Sequence, residues 1–282
     1  MTYRTFDGTS QSETVTLGRY SGSKVGVSDG STVQGALYFS DDVDTGIYSP
    51  SNGQIAFSTN GTERFKIDET GAITFTGSLD FTDAQGNTVI GIDAGDSFTG
   101  TDAENNTLIG YQAGKDITTG DSNTAVGKTA GKGLTTGEAN VAIGVGALDA
   151  SPGTADFNTA VGYLALTTNT SGHSNTALGY QSLKVNITGD NNVAVGYQAL
   201  FDNTGDNNTA VGRAALANNT VSNNTAVGYL ACLNNTSGMY NTGVGTEALK
   251  TNVDGDYNVA IGYQALYTFE ADTDGHGRNT AI

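Results

Sequence analysis

The stretch Asn192-Val193-Ala194-Val195-Gly196-Tyr197-Gln198-Ala199-Leu200 decides the fold. Side chains alternate along an extended chain, so Val193 and Val195 point to one face and Ala194 to the other. One face is branched and bulky. The other accepts only Ala, Gly or an occasional Leu, and therefore looks into a narrow space. Neighbouring segments repeat the pattern: Thr225, Ala226 and Val227, then Val259, Ala260 and Ile261.

Working outward, the same unit begins at Asn87, Asn106, Asn123, Asn140, Asn158, Asn175, Asn192, Asn208, Asn224, Asn241 and Asn258, with a broken copy at Asn279. The spacings run from 16 to 21 residues and are mostly 17. A period this short means one small supersecondary unit per copy, stacked on its neighbours. Each unit is expected to be a strand, a bend at the internal Gly, a short second strand such as 197–200, and a polar turn. A second glycine, three residues before most of the asparagines (Gly120, Gly137, Gly172, Gly189, Gly205, Gly238, Gly255), is expected to supply positive φ in that turn. Stacked parallel coils of this kind form a β-solenoid. Asn106, Asn123, Asn140, Asn158, Asn175, Asn192, Asn208, Asn224, Asn241 and Asn258 would then build a hydrogen-bonded ladder between rungs.

Composition agrees with a thin strand-rich body. The 282 residues include 40 Gly, 2 Pro, 1 Cys and no Trp, with only 15% charged residues. Collagen is excluded, since the glycines keep no three-residue period. A leucine-rich repeat needs more Leu per unit, the calcium-binding nonapeptide needs Gly-Gly-x-Gly-x-Asp, and helical repeats need a 3.6 period that is missing. The formal charge of −17 argues against nucleic acid and anionic membranes as partners. The N-terminus shows no basic region followed by an apolar run, and nowhere do about 18 apolar residues run together.

Self-association follows from the faces. An outward Val/Ile stripe, together with Leu166, Leu200, Leu216 and Leu249, would leave one chain with a long apolar strip in water. A homotrimer covers it by bringing three identical faces to one axis. Tyr111, Tyr163, Tyr180, Tyr197, Tyr229 and Tyr263 hold one position of their units and should align in a column. Such a column is either a sugar-binding track or a stacking ladder that seals the coil edge. Lys128, Val145, Arg213 and Thr246 interrupt it and Trp is absent, so stacking is expected.

The remaining chemistry-bearing residues point to no enzyme, and no catalytic, cofactor or metal residue is assigned. Cys232 stands where Leu usually stands and reads as a buried apolar substitute. His173 and His276 lie in turns without partners at ligand spacing. Glu270, Asp272 and Asp274 before Gly275 open like a calcium loop, but the later bidentate Glu is missing, Ala281 standing at its place. The Asn186-Ile187-Thr188 sequon reads as a product of Asn/Thr-rich composition.

The first eighty residues read differently. Segments 54–59 and 62–67 flank Asn60-Gly61, the strongest short hairpin signal, with Ile55, Phe57, Phe65 and Ile67 expected on one buried face and a further strand at 72–75. Residues 1–32, with short strands at 14–17 and 24–27, read as an attachment or entry segment. The division is thus 1–32, a β-hairpin-rich domain over 33–80, and a β-roll over 87–282 with eleven full repeats and a broken twelfth. The fold class is all-β: an elongated parallel β-solenoid preceded by a hairpin-rich region, assembled as a homotrimer.

Two stretches carry a resemblance. Asp44-Thr45-Gly46-Ile47-Tyr48-Ser49-Pro50, followed by Gln54-Ile55-Ala56-Phe57-Ser58-Thr59-Asn60-Gly61-Thr62-Glu63-Arg64, resembles a segment of bacteriophage tail fibre proteins. The Asn-Thr-Ala-Val-Gly-Tyr-Gln-Ala-Leu units resemble the repeats that follow it there, and are similar to head repeats of trimeric autotransporter adhesins, which read Asn-Ser-Val-Ala-Ile-Gly. The autotransporter resemblance implies a homotrimer of left-handed parallel β-rolls. The phage resemblance implies a virion protein: a tail fibre shaft that joins other tail or baseplate proteins through its N-terminal region. It also implies a host receptor met through a tip beyond Ile282, the repeat breaking off at Asn279-Thr280-Ala281-Ile282. A bacterial surface adhesin and a glycan-degrading tailspike are the rival readings. The adhesin needs an export signal, and the tailspike a carboxylate pair in a groove.

Overall fold

The computed structural model describes residues 37–39, 42–76, 82–98, 102–150, 153–268 and 277–282. The expected entry segment 1–32 lies outside the described residues, as do Glu270, Asp272, Asp274, Gly275 and His276. The chain divides into two units, Met1–Asp80 and Phe81–Ile282.

The first unit holds a five-stranded antiparallel meander: β1 (Leu37–Phe39), β2 (Asp42–Tyr48), β3 (Ile55–Thr59), β4 (Thr62–Ile67) and β5 (Ile73–Phe75), paired in chain order. The β3–β4 turn is the Asn60-Gly61 pair, with φ of 48° and 64°, the twist that a two-residue hairpin needs. The burial is the reverse of the expectation. Ala56 and Ser58 are buried, while Ile55 and Phe57 are exposed and Phe65 and Ile67 only half-buried. The small residues are the ones covered. Phe57, Phe65 and Phe75 meet edge to face across three strands, with centroids 5.3 and 5.2 Å apart.

The second unit is a parallel β-solenoid of about eleven turns. Twelve short strands form one sheet in sequential order: β6 (Thr88–Ile90), β7 (Thr107–Ile109), β8 (Thr124–Val126), β9 (Val141–Ile143), β10 (Thr159–Val161), β11 (Thr176–Leu178), β12 (Val193–Val195), β13 (Thr209–Val211), β14 (Thr225–Val227), β15 (Thr242–Val244), β16 (Val259–Ile261) and β17 (Thr280–Ala281). Register is constant, Ala194 lying beside Ala177 and Ala210. No helix occurs among the described residues.

Each coil closes by reversals of φ. In the coil of Asn192 the residues with positive φ are Asn191 (57°), Gly196 (136°), Gln198 (55°) and Leu200 (49°). Residues 197–200 are therefore consecutive turns, not the expected second strand. This corrects the placement of Leu166, Leu200, Leu216 and Leu249, which are fully buried inside their own coil. Strand alternation would have sent them outward, but left-handed backbone at each Leu turns the side chain in. That backbone costs on the order of 1–2 kcal/mol, and burying a Leu offsets it by about 1.5–3 kcal/mol.

The second set of glycines also behaves differently from expectation. Gly120, Gly137, Gly172, Gly189, Gly205 and Gly238 are not among the residues of positive φ. They are small because the next coil passes over them: a Cβ on Gly189 would meet the Gly205 carbonyl and lie 3.1 Å from Asn192 Nδ2. The left-handed residue of the turn is instead the one before each ladder Asn, such as Ser174, Asn207 or Tyr257.

Around a coil the backbone bonds to both neighbours. Val193, Leu200 and Asp202 donate N–H to Asn208, Ala215 and Ala217 of the next coil, while Asn191, Gly196 and Gln198 donate to His173, Leu178 and Tyr180 of the previous one. The interior is filled by strand Ala, a second Ala such as Ala199, and Leu.

Two interior solutions succeed one another along the solenoid. In early coils Gly95, Gly114 and Gly131 take the Leu position, and Phe98, Ile117 and Leu134, three residues on, fill the space. A Cβ on Gly131 would lie 3.2 Å from Leu134 Cδ1. From Leu166 to Leu249 the position holds Leu, or Cys at 232, and the residue three further on is Asn. Leu134→Asn is expected to leave a void costing about 2–5 kcal/mol. Gly131→Leu alone should overpack by about 1–3 kcal/mol. Together they restore the later type, so the double variant should be more stable than the two losses predict by at least about 1 kcal/mol in urea unfolding.

Candidate functional surfaces

Inside the solenoid the repeated Asn forms a continuous ladder. The backbone N–H groups of Asn106, Asn123, Asn140, Asn158, Asn175, Asn192, Asn208, Asn224, Asn241 and Asn258 each donate to Oδ1 of the Asn one coil earlier, at 2.8–3.0 Å. The amide nitrogens close the coil: Asn106 Nδ2 donates to the Gly120 carbonyl at 2.9 Å, and Asn192 Nδ2 to that of Gly205 at 2.9 Å. All ten side chains are buried. Their role is structural.

A second ladder was missed in the sequence. Asn169, Asn186, Asn203, Asn219, Asn235 and Asn252 are buried, each Nδ2 from Asn186 onward donating to the preceding Oδ1 at 2.8–3.2 Å. Asn208, Asn224 and Asn241 donate across to Asn203, Asn219 and Asn235, joining the two ladders. Its sequence signal was the Asn three residues after each Leu or Cys. Asn186 of the Asn-Ile-Thr sequon belongs to this buried row.

On the outward face the first residue of each strand from β6 to β16 is Thr except at Val141, Val193 and Val259, while the third residues form an unbroken apolar column, Ile90, Ile109, Val126, Ile143, Val161, Leu178, Val195, Val211, Val227, Val244 and Ile261. Their exposure is intermediate to high, reaching 47% at Leu178. At about 4.8 Å per coil this column runs for roughly 50 Å.

Beside it stands the tyrosine column. Tyr163, Tyr180 and Tyr197 stack with centroids 5.4 and 5.1 Å apart and planes within 10°. Arg213 continues the column where an interruption was expected, its guanidinium 5.6 Å from the Tyr197 ring and 5.4 Å from that of Tyr229, with Nη1 donating to the Tyr229 hydroxyl at 3.1 Å. Tyr111 and Tyr263 stand in line with the column but make none of these ring contacts. Ring faces turned to one another leave edges and hydroxyls outward, which suits sealing and not the face-on stacking of a sugar. A second stack lies before the ladder, Tyr240 on Tyr257 at 4.9 Å, with Arg278 over Tyr257.

The turns carry an acidic column two residues before seven of the ten ladder Asn, at Glu104, Asp121, Glu138, Asp156, Asp190, Asp206 and Asp256, with His173, Ser222 and Met239 at the other three. One oxygen of several of them accepts a backbone N–H from the coil before, as Asp121 does from Glu104 at 2.7 Å and Asp206 from Asp190 at 2.9 Å. His173 takes a place in this column: its Nδ1 accepts the Asp156 N–H, and its own N–H donates to Asp190. Cys232 is buried, and desolvation pushes its thiol up to about 12, which keeps it protonated and unreactive. Its Sγ occupies the space above Gly243, where a Cβ would come within 2.5 Å. Among the described residues no group of three His, Cys, Asp or Glu is placed to hold a metal ion. No family model, no curated protein and no solved structure matches the chain.

Proposed function

We propose that the chain is the shaft of a homotrimeric virion fibre that supports attachment of a bacteriophage to its host. The carrying observation is the outward Val/Ile column, unbroken over eleven coils. Covering each such side chain contributes on the order of 1 kcal/mol at about 25 cal/mol per Å², and the gain repeats at every coil. Three copies about one axis cover the column along its whole length with no open edge between them. The interior Leu no longer contributes to this reason, because it is covered within one chain. The resemblance to tail fibre segments supplies the biological setting, and that to autotransporter heads supplies left-handed coils. Function in this reading is geometric: stacked coils hold a receptor-binding tip away from the particle, the N-terminal region joining the tail.

Light scattering at micromolar concentration should give three times the 28.8 kDa chain mass. Val211→Asp with Val227→Asp places charge in the column at two half-exposed positions and should reduce the mass to one chain while the strand signal in circular dichroism persists. A folded wild-type monomer would overturn the reading. Antibody raised to the solenoid should decorate fibres on purified particles.

A further inference from the structure

We infer that the subunit contact of this solenoid is an in-register edge pairing, in which the acidic column of one copy meets the Tyr/Lys/Arg column of the next at the same coil. The inference rests on the fibre reading above. The two columns flank the outward face: Asp206 lies three residues before β13 and Arg213 two residues after it. In a closed ring every contact is heterologous, one edge of a copy against the opposite edge of its neighbour, and rotation involves no translation along the axis. A residue therefore faces partners within about one strand spacing, ~4.8 Å, of its own height.

The charges obey that constraint. The column after the strand contains two cations, Lys128 and Arg213, and each belongs to a coil whose turn supplies a carboxylate, Asp121 and Asp206. Both cations are exposed. Ion pairs among the described residues are Lys66–Glu63, Lys115–Asp93, His173–Asp156 and Lys250–Glu247, so neither cation has a carboxylate of its own chain there. Arg213 lies between Tyr197 and Tyr229, its guanidinium carbon 5.6 and 5.4 Å from their ring centroids, and its one side-chain hydrogen bond among the described residues is from Nη1 to the Tyr229 hydroxyl. Asp206 uses Oδ1 for the Asp190 N–H, and Oδ2 makes no hydrogen bond among the described residues. The coil of Asn241 carries Met239 and Thr246 at the two positions, neutral on both edges together. An occupant of different sequence would not be bound to this matching, whereas a second copy is.

Carbodiimide treatment of the intact protein joins a carboxylate to a lysine in direct contact. Covalent multimers separated in denaturing gels should contain Lys128 linked to Asp121 when digested and read by mass spectrometry. Multimers in which Lys128 is linked only to carboxylates two or more coils away, or trimers that never link Lys128, would overturn the register. As a second measurement, Arg213→Glu should raise the trimer dissociation constant at least about tenfold at low salt, and adding Asp206→Lys should recover most of it. A double variant as weak as the single one counts against the pairing. A monomeric wild-type mass would remove both the pairing and the fibre reading, whereas a trimer with the wrong links removes only the pairing.

Discussion

Gly196→Ala should be among the most damaging single substitutions in the solenoid, costing upward of about 3 kcal/mol per chain. Two terms add. The φ of 136° at Gly196 lies in a region essentially closed to residues with a Cβ, a strain on the order of 1–3 kcal/mol. The added Cβ would also stand 2.5 Å from the Gly212 oxygen and 2.7 Å from its carbonyl carbon, and these are backbone atoms of the next coil that no rotamer change can move. Gly262 separates the terms: its φ is 124°, yet a Cβ there meets nothing within 4 Å. Gly262→Ala should therefore show the strain alone. Urea unfolding of both variants is the measurement, and equal losses would show that contact between coils adds nothing.

Asn192→Asp is the second substitution of large effect, and its cost depends on pH. Asn192 Oδ1 accepts the Asn208 N–H at 2.9 Å, and Nδ2 donates to Asn175 Oδ1 at 3.1 Å and to the Gly205 carbonyl at 2.9 Å. An ionised Asp keeps the first bond but turns an oxygen toward two acceptors, in a fully buried site. Burial and repulsion both favour the neutral acid, so its folded pKa rises above the unfolded value of about 3.9, by up to roughly 3–5 units for such a site. The sign follows: below about pH 3.9 the variant is protonated in both states and donates as the amide did, while with rising pH the folded state must either hold a proton or bury a charge. Relative to wild type, the loss should be small near pH 3.5 and about 3–5 kcal/mol at pH 7. A loss independent of pH would mean that the ladder position is open to water.

The solenoid was legible in the sequence because its strand is short and regular. Asn192-Val193-Ala194-Val195-Gly196 shows the alternation, the bend and the buried amide in five residues. The rest of the coil was not legible, for one physical reason: outside the strand, side-chain direction is set by the sign of φ, and sequence does not display it. Leu200 at φ 49° points inward where strand alternation sent it outward. The same applies to Gln198, which reads as strand and lies in a turn. The second Asn row escaped notice because Ile117 and Leu134 occupy its place in the early coils, hiding the period. Arg213 reads as a break in an aromatic column by residue type, yet its cation sits between the Tyr197 and Tyr229 rings and joins them. In the hairpin unit the large residues were assigned inside by hydrophobicity, whereas Ala56 and Ser58 fit the covered side and Ile55 and Phe57 do not.

Coils of 16, 17 and 18 residues coexist in this solenoid while Ala194 stays level with Ala177 and Ala210, the differences being absorbed in the turns. That tolerance bears on inheritance. A copying slip that adds or drops one unit of coding sequence yields a chain whose strands, amide rows and outward column all remain aligned, because each coil asks the same of either neighbour. A slip of another size within the strand shifts Gly against Ala and Asn against Val, while a residue or two gained or lost in a turn is absorbed there and leaves the reach unchanged. Such a gene therefore lengthens and shortens in whole coils, and the reach of its product is a quantity that replication can adjust without inventing a single new residue.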